Sequence, residues 1–197
     1  FAQHLTDTIK ARRDITVTED VTGYQERTNR LVTAADSAVN LIVIPEGAVF
    51  KPGLPFDVLV VTETPDGKPV ETKVRLEATW LDAEYGDIRT VKDDVTTRNG
   101  LATFELKPPS NAVALSLTAV ANGKQVDRII QSSYSPSGNF IHVTQVSNDV
   151  AQVGDTVSFR VHSTSEARNF YYEVVARDRI VFSGHTRDDE FSFDTTP

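Results

Sequence analysis

Four histidines carry the side chains best suited to metal binding or proton transfer: His4, His142, His162 and His185. Zinc needs ligands that converge, generally from short-spaced pairs. No two of the four lie closer than the 20 residues that separate His142 from His162. Those two alternate with apolar neighbours (Ile141 and Val143, and Val161), so both are expected to face solvent from strands. Two acidic runs, Asp93-Asp94 and Asp188-Asp189-Glu190, could offer oxygen ligands to calcium. Neither resembles an EF-hand loop, and both read as solvated turns. Acid–base catalysis wants a carboxylate in an apolar setting that raises its pKa, and no Asp or Glu stands out in such a setting. There is no Gly-x-Ser-x-Gly elbow, no phosphate loop and no dinucleotide fingerprint. Cysteine is absent, which excludes thiolate metal sites, Cys nucleophiles and disulfides within the chain. No catalytic, cofactor-binding or metal-binding residue is therefore assigned, no cofactor is expected, and the chain is not read as an enzyme.

Composition narrows the classes further. The net charge over 197 residues is −8, with acids and bases interspersed. Nucleic-acid binding calls for a basic stripe instead. The apolar fraction of 39% supports a core, but no run approaches the roughly 18 apolar residues of a membrane span. There is no basic-then-apolar leader at the start and no Asn-x-Ser/Thr sequon. Phe1 in place of an initiator Met suggests a processed, truncated or excised chain.

The elements that could position side chains are strands. Val74, Leu76, Ala78 and Trp80 alternate with polar residues, as do Ala102, Phe104 and Leu106, and then Val113, Leu115, Leu117 and Ala119. A period of two marks half-buried strands. Asp66-Gly67, Asn99-Gly100 and Asn122-Gly123 are turn signals, and Asp-Gly in particular suits a type I′ hairpin. Pro52 and Pro55 bracket a bend at Gly53, from which Phe56 to Val61 emerges as a strand. About seven short strands between 40 and 136 fit an immunoglobulin-like sandwich. Trp80 reads as core filler of that sandwich, and the alternative is a ligand-stacking platform.

The flanks read as partial modules. Ile15 and Val17 share one face of a strand expected to be half-buried, Val21-Thr22-Gly23 turns, and Tyr24 to Val32 follows as a second strand. Phe1 to Arg13 is ambiguous, with Leu5 and Ile9 four apart. After Phe140 come Val157, Phe159 and Val161, then Phe170, Tyr172 and Val174, then Ile180 to Phe182 after an Arg177-Asp178-Arg179 turn. Tyr172 is expected in a core and Tyr171 to point outward, towards a neighbouring module. The chain is thus expected to be all-β, a tandem array of immunoglobulin-like antiparallel β-sandwiches. Residues 1–39 would be the end of one sandwich, 40–136 a complete one and 137–197 the start of another.

Two passages resemble macroglobulin domains of the α2-macroglobulin and complement family of thioester proteins. Phe50-Lys51-Pro52-Gly53-Leu54-Pro55-Phe56 with Thr64-Pro65-Asp66-Gly67-Lys68-Pro69-Val70 is similar to the entry of the fourth domain. Ser133-Tyr134-Ser135-Pro136-Ser137-Gly138-Asn139-Phe140-Ile141-His142-Val143, then Val153-Gly154-Asp155, Phe170-Tyr171-Tyr172-Glu173-Val174-Val175 and Ile180-Val181-Phe182-Ser183-Gly184, resembles the start of the fifth. The stretch Ile15 to Gly23 is similar to the closing hairpin of the third. Each motif alone is a generic turn signature; their succession and spacing across most of the chain carry the resemblance. It implies a structural segment of a protein that traps proteases or opsonises targets. The partners would be neighbouring macroglobulin domains, and proteases for the parent protein. The setting would be extracellular, secreted or surface-attached, or periplasmic in a bacterium. The family's Gly-Cys-Gly-Glu-Gln thioester, protease-sensitive bait region and anaphylatoxin insert match no position here. The lack of cysteines and sequons departs from vertebrate members and leaves room for an invertebrate or bacterial relative. A contrasting expectation is an adhesion or carbohydrate-binding sandwich of a cell-surface protein, which would need Trp80 exposed.

Overall fold

A computed structural model describes residues 8–147, 150–166 and 169–196. Among these every regular element is a strand: β1 (Thr8–Thr18), β2 (Gln25–Ala35), β3 (Asn40–Pro45), β4 (Val49–Phe50), β5 (Phe56–Glu63), β6 (Lys73–Leu81), β7 (Asp87–Thr96), β8 (Leu101–Leu106), β9 (Ala114–Ala121), β10 (Lys124–Ser132), β11 (Ile141–Gln145), β12 (Thr156–Ser163), β13 (Phe170–Ala176), β14 (Arg179–Thr186) and β15 (Glu190–Asp194). The all-β, tandem-sandwich expectation holds. Leu5 and His4 lie outside the described residues, and Ile9 belongs to a strand rather than to a helical turn.

Strands β3 to β10 form two sheets, β3-β5-β8 and β4-β10-β9-β6-β7. That is eight strands rather than seven, because the Val49–Phe50 pair docks as a short strand of its own. It runs parallel to β10, with Val49 opposite Gln131 and Phe50 opposite Ser132, and Ser133 N–H donates to the Phe50 carbonyl at 2.7 Å. All other pairings in the two sheets are antiparallel. The alternation decides which faces meet. Val58 and Val60 of β5, Val74, Leu76, Ala78 and Trp80 of β6, Phe104 of β8, and Leu115, Leu117 and Ala119 of β9 all point between the sheets and are buried. Each large apolar side chain so buried contributes about 1.5–3 kcal/mol relative to exposure. Phe50 lies edge-on to Trp80 with ring centroids 5.0 Å apart, so β4 plugs the core. Trp80 is fully buried, which removes the exposed platform a ligand-stacking role would need. Its indole N–H has no hydrogen-bond partner, and burial of the large ring outweighs that loss.

The turns follow backbone chemistry. Asn99-Gly100 and Asn122-Gly123 have positive φ at both residues, as a type I′ hairpin requires. Asp66-Gly67 does not: φ is positive at Gly67 alone, and Gly67 N–H closes a turn on the Thr64 carbonyl at 2.9 Å. Pro65 pins φ negative at the first central position of that turn and excludes type I′ there. At Gly100 a Cβ would sit 2.5 Å from the Thr62 carbonyl oxygen, so the position demands glycine for space as well as conformation.

Before the sandwich, β1 and β2 pair over eleven residues as a two-stranded hairpin. Ile15 and Val17 are exposed rather than half-buried, at 43% and 66%. No second layer covers them among the described residues, and two strands cannot enclose a core. The hairpin reaches the sandwich through Asp36, which accepts a hydrogen bond from Lys124 Nζ at 2.8 Å. After the sandwich, the sheet β11-β12-β15 faces the hairpin β13-β14. An aromatic cluster fills the gap: Tyr172 stacks on Phe191 at 4.0 Å, and Phe193 lies 5.8 Å from Phe182 and 5.9 Å from Phe159. Gly184, opposite Tyr172 in register, makes room for the ring; a Cβ there would meet the phenol oxygen at 2.6 Å. Tyr172 is half-buried in this cluster, and Tyr171 points outward, 82% exposed, beside His185.

Candidate functional site

The side chains singled out for chemistry do not converge, with one exception. His185 lies beside Tyr171 on the β13-β14 hairpin, and His4 is outside the described residues. The acidic runs are engaged by cations: Asp94 by Lys73 at 2.8 Å and Arg75 at 3.1 Å, and Glu190 by Arg160 Nε at 2.9 Å. Lys73 and Arg75 hold the Asp94 carboxyl below its usual range. Among the described residues no three of His, Cys, Asp or Glu are placed to hold a metal ion.

The exception is the pair His142 and His162. They are opposite one another in the antiparallel pairing of β11 with β12, and their rings stack at 6.2 Å. Both were expected to face solvent. Instead the His142 side chain is only 13% exposed, because β11 packs against the end of the sandwich that carries Glu46, Lys51 and Gly53. His142 Nε2 lies 3.3 Å from Glu46 Oε1, and with its proton on Nε2 the ring donates to that carboxylate. The other Glu46 oxygen accepts the Asp57 backbone N–H at 2.8 Å. Lys51 Nζ donates to the Ile141 carbonyl at 2.7 Å. Behind this row, Thr164 Oγ1 accepts from Phe140 N–H at 2.8 Å, and the Thr164 methyl is the atom a Cβ on Gly53 would approach at 3.4 Å. His162 Nε2 is 3.1 Å from Thr144 Oγ1. It lines a cleft of about 460 Å³ between the Gly53–Pro55 bend and the β12 side, together with Glu166, Arg187 and Asp189.

Two groups here depart from their ordinary titration. Burial pushes the Asp57 carboxyl up, helped by Glu46 and Glu105. The sequence reading overlooked it, because the carboxylates that crowd it, Glu46 after β3 and Glu105 opposite it on β8, are brought together only by the sheet. Burial also pulls the His142 imidazole down; Lys51 and His162 add to this, and Glu46 and Asp57 oppose it. What the arrangement can do is tie the strand after the sandwich to it through two polar links, Glu46–His142 and Lys51–Ile141, with the His142 ring stacked on His162 behind them. The signal for it was present but unpaired: the Lys51 contact bridges 90 positions.

Comparisons with known proteins divide the chain at the same place. Residues 47–133 match the family model of macroglobulin domain MG4, and residues 141–197 match the model of the alpha-2-macroglobulin bait region domain. The second match corrects the expectation that no position corresponds to a bait region. A.superbus venom factor 2 of Austrelaps superbus is 25% identical over 188 residues, which is 84% of this chain and 11% of that protein. Complement C3 of Eptatretus burgeri is 27% identical over 143 residues, 66% of this chain and 9% of that protein. The chain thus spans about a tenth of the length of these relatives. Among solved structures, Escherichia coli alpha-2-macroglobulin in its native conformation aligns with 92% of this chain and 14% of its own, at a TM-score of 0.41 and 13% identity.

Proposed function

Because the chain belongs to the α2-macroglobulin and complement family, we propose that it is a scaffold segment of a protein that traps proteases or opsonises targets in innate defence. It performs no catalysis and binds no cofactor or metal. Residues 40–136 are one complete macroglobulin sandwich, 1–39 the end of the preceding one and 137–197 the start of the next. The partners of the segment are the neighbouring macroglobulin domains, and the parent's targets are proteases. The setting is extracellular, secreted or surface-attached, or periplasmic in a bacterium.

One observation carries this reading: the two family matches lie in tandem and are joined by the Glu46–His142 and Lys51–Ile141 contacts. A sandwich that grips the next module fixes how a bait-bearing segment is presented. Interfaces of this size are modest and partly polar, so changes there should alter rearrangement more than folding. The adhesive-module alternative loses its carrier with the burial of Trp80.

The test is made on the parent polypeptide. After exposure to trypsin it should be cut at few sites, change its hydrodynamic radius and retain the protease or attach to a surface. The double variant K51A/E46A should slow the change in radius without altering the cut. A parent that is cut but retains no protease, marks no surface and keeps its radius would overturn the proposal.

A further inference from the structure

The junction contains more titratable groups than a static brace requires. From β11 comes His142, and from β12 His162, stacked on it. The sandwich contributes Glu46 from the turn after β3, Lys51 from the bend after β4, Asp57 from β5 and Glu105 from β8. Glu166, Arg187 and Asp189 border the cleft that His162 lines. We propose that this junction is a pH-responsive hinge, closed while His142 is neutral and loosened when His142 becomes charged.

The geometry sets the direction. A neutral His142 donates one hydrogen bond to Glu46 and stacks on the His162 ring. Charging His142 puts a cation beside Lys51, in a setting with little solvent to screen it, and against the His162 ring 6.2 Å away. Glu46 opposes the opening through Oε1, which faces His142, while its Oε2 accepts the Asp57 N–H; burial of the ring is what outweighs that attraction. Burial holds the His142 pKa below its reference of 6.5. Its contribution to closure is therefore fully present above pH 6.5 and lost as pH falls through the lower, folded value. Asp57, raised above 3.8 mainly by burial, favours the charged ring while it is ionised, and its repulsion from Glu46 and Glu105 lies within the sandwich, so its protonation does not reclose the junction. The opening therefore belongs to the histidine window.

The hinge builds on the junction reading above, yet it fails separately: a junction rigid at every pH refutes the hinge and leaves the scaffold role intact. The chain has no cysteine, so E84C and S183C give two exposed label sites, one on each side of the junction. Pulsed electron–electron resonance on the full chain should give one narrow distance at about pH 8, and a second, longer population growing towards about pH 5. In H142Q, which still donates to Glu46 and cannot charge, the second population should be absent across that range. A distribution unchanged with pH in the unsubstituted background, or the same opening in H142Q, overturns the proposal. If H142Q is open at every pH, the unsubstituted background decides. The hinge stands if the opening midpoint coincides with the His142 ring titration followed by NMR, and falls if the two differ.

Discussion

Thr97 should be worth more to the sandwich than its size suggests. It is fully buried, as is Thr62. The Thr97 hydroxyl accepts from Thr72 N–H at 3.0 Å and lies 2.8 Å from Thr62 Oγ1, while Thr62 donates to the Val70 carbonyl at 2.6 Å. Together they pin the β5–β6 connection to the end of β7. Thr97→Val keeps the volume and removes the hydroxyl. Thr72 N–H loses this acceptor, at about 1–3 kcal/mol for a buried unsatisfied donor. The added methyl returns about 0.8 kcal/mol. The net loss expected is centred on about 1 kcal/mol, within a range of roughly 0.2–2 kcal/mol, with the midpoint falling roughly 4–8 °C for each kcal/mol in a domain of this size. Urea titration followed by tryptophan fluorescence measures it cleanly, since Trp80 is the only tryptophan and sits in the same core. Thr97→Ser, which keeps the hydroxyl, should cost less than Thr97→Val. A T62V/T97V cycle should show coupling of about 0.5–3 kcal/mol. The reasoning fails if Thr97→Val lies within about 0.3 kcal/mol of the parent, or if Thr97→Ser is equally damaging.

Gly100→Ala should cost about 1–3 kcal/mol from positive φ alone, and more from the 2.5 Å approach to the Thr62 carbonyl, read in the same urea assay. Gly184→Ala should expel Tyr172 from its stack on Phe191, seen as loss of near-ultraviolet dichroism with the Trp80 transition unmoved. Trp80→Phe should cost less than the about 3–5 kcal/mol of Trp→Ala, because the indole N–H has no hydrogen bond to lose; calorimetry compares the two. Asp57→Asn should raise the melting temperature at pH 7 and lose the advantage below pH 3.8, since the repulsion it removes is present only above the raised folded pKa.

The sandwich was legible because its strands carry their own instructions. Val74, Leu76, Ala78 and Trp80 alternate without interruption, and that pattern alone states which face is inward. The turn at Asp66-Gly67 was misjudged because a two-residue signature was weighed without the preceding Pro65. The junction was not legible for a different reason. Glu46 and Lys51 meet His142 and Ile141 only after the whole sandwich has folded between them, and no local period encodes that meeting. The same holds for Asp57, whose upward shift comes from burial first and then from Glu46 and Glu105, both distant in the chain. The hairpin β1-β2 shows the converse limit: alternation at Ile15 and Val17 states a face but not what covers it.

The short parallel pair β4–β10 has a mechanical meaning. The chain passes through β4 early in the sandwich and leaves by β10, and the two strands point the same way. Tension applied through the flanking modules therefore drags them past each other along their length. The pairs Val49–Gln131 and Phe50–Ser132 and the Ser133–Phe50 bond are loaded in shear, all together, and are not peeled one at a time. Phe50, wedged against Trp80, must be drawn out of the core before they slide. A sandwich strung in series in a larger body thus meets stretching at this seam in shear, with a core side chain as its wedge.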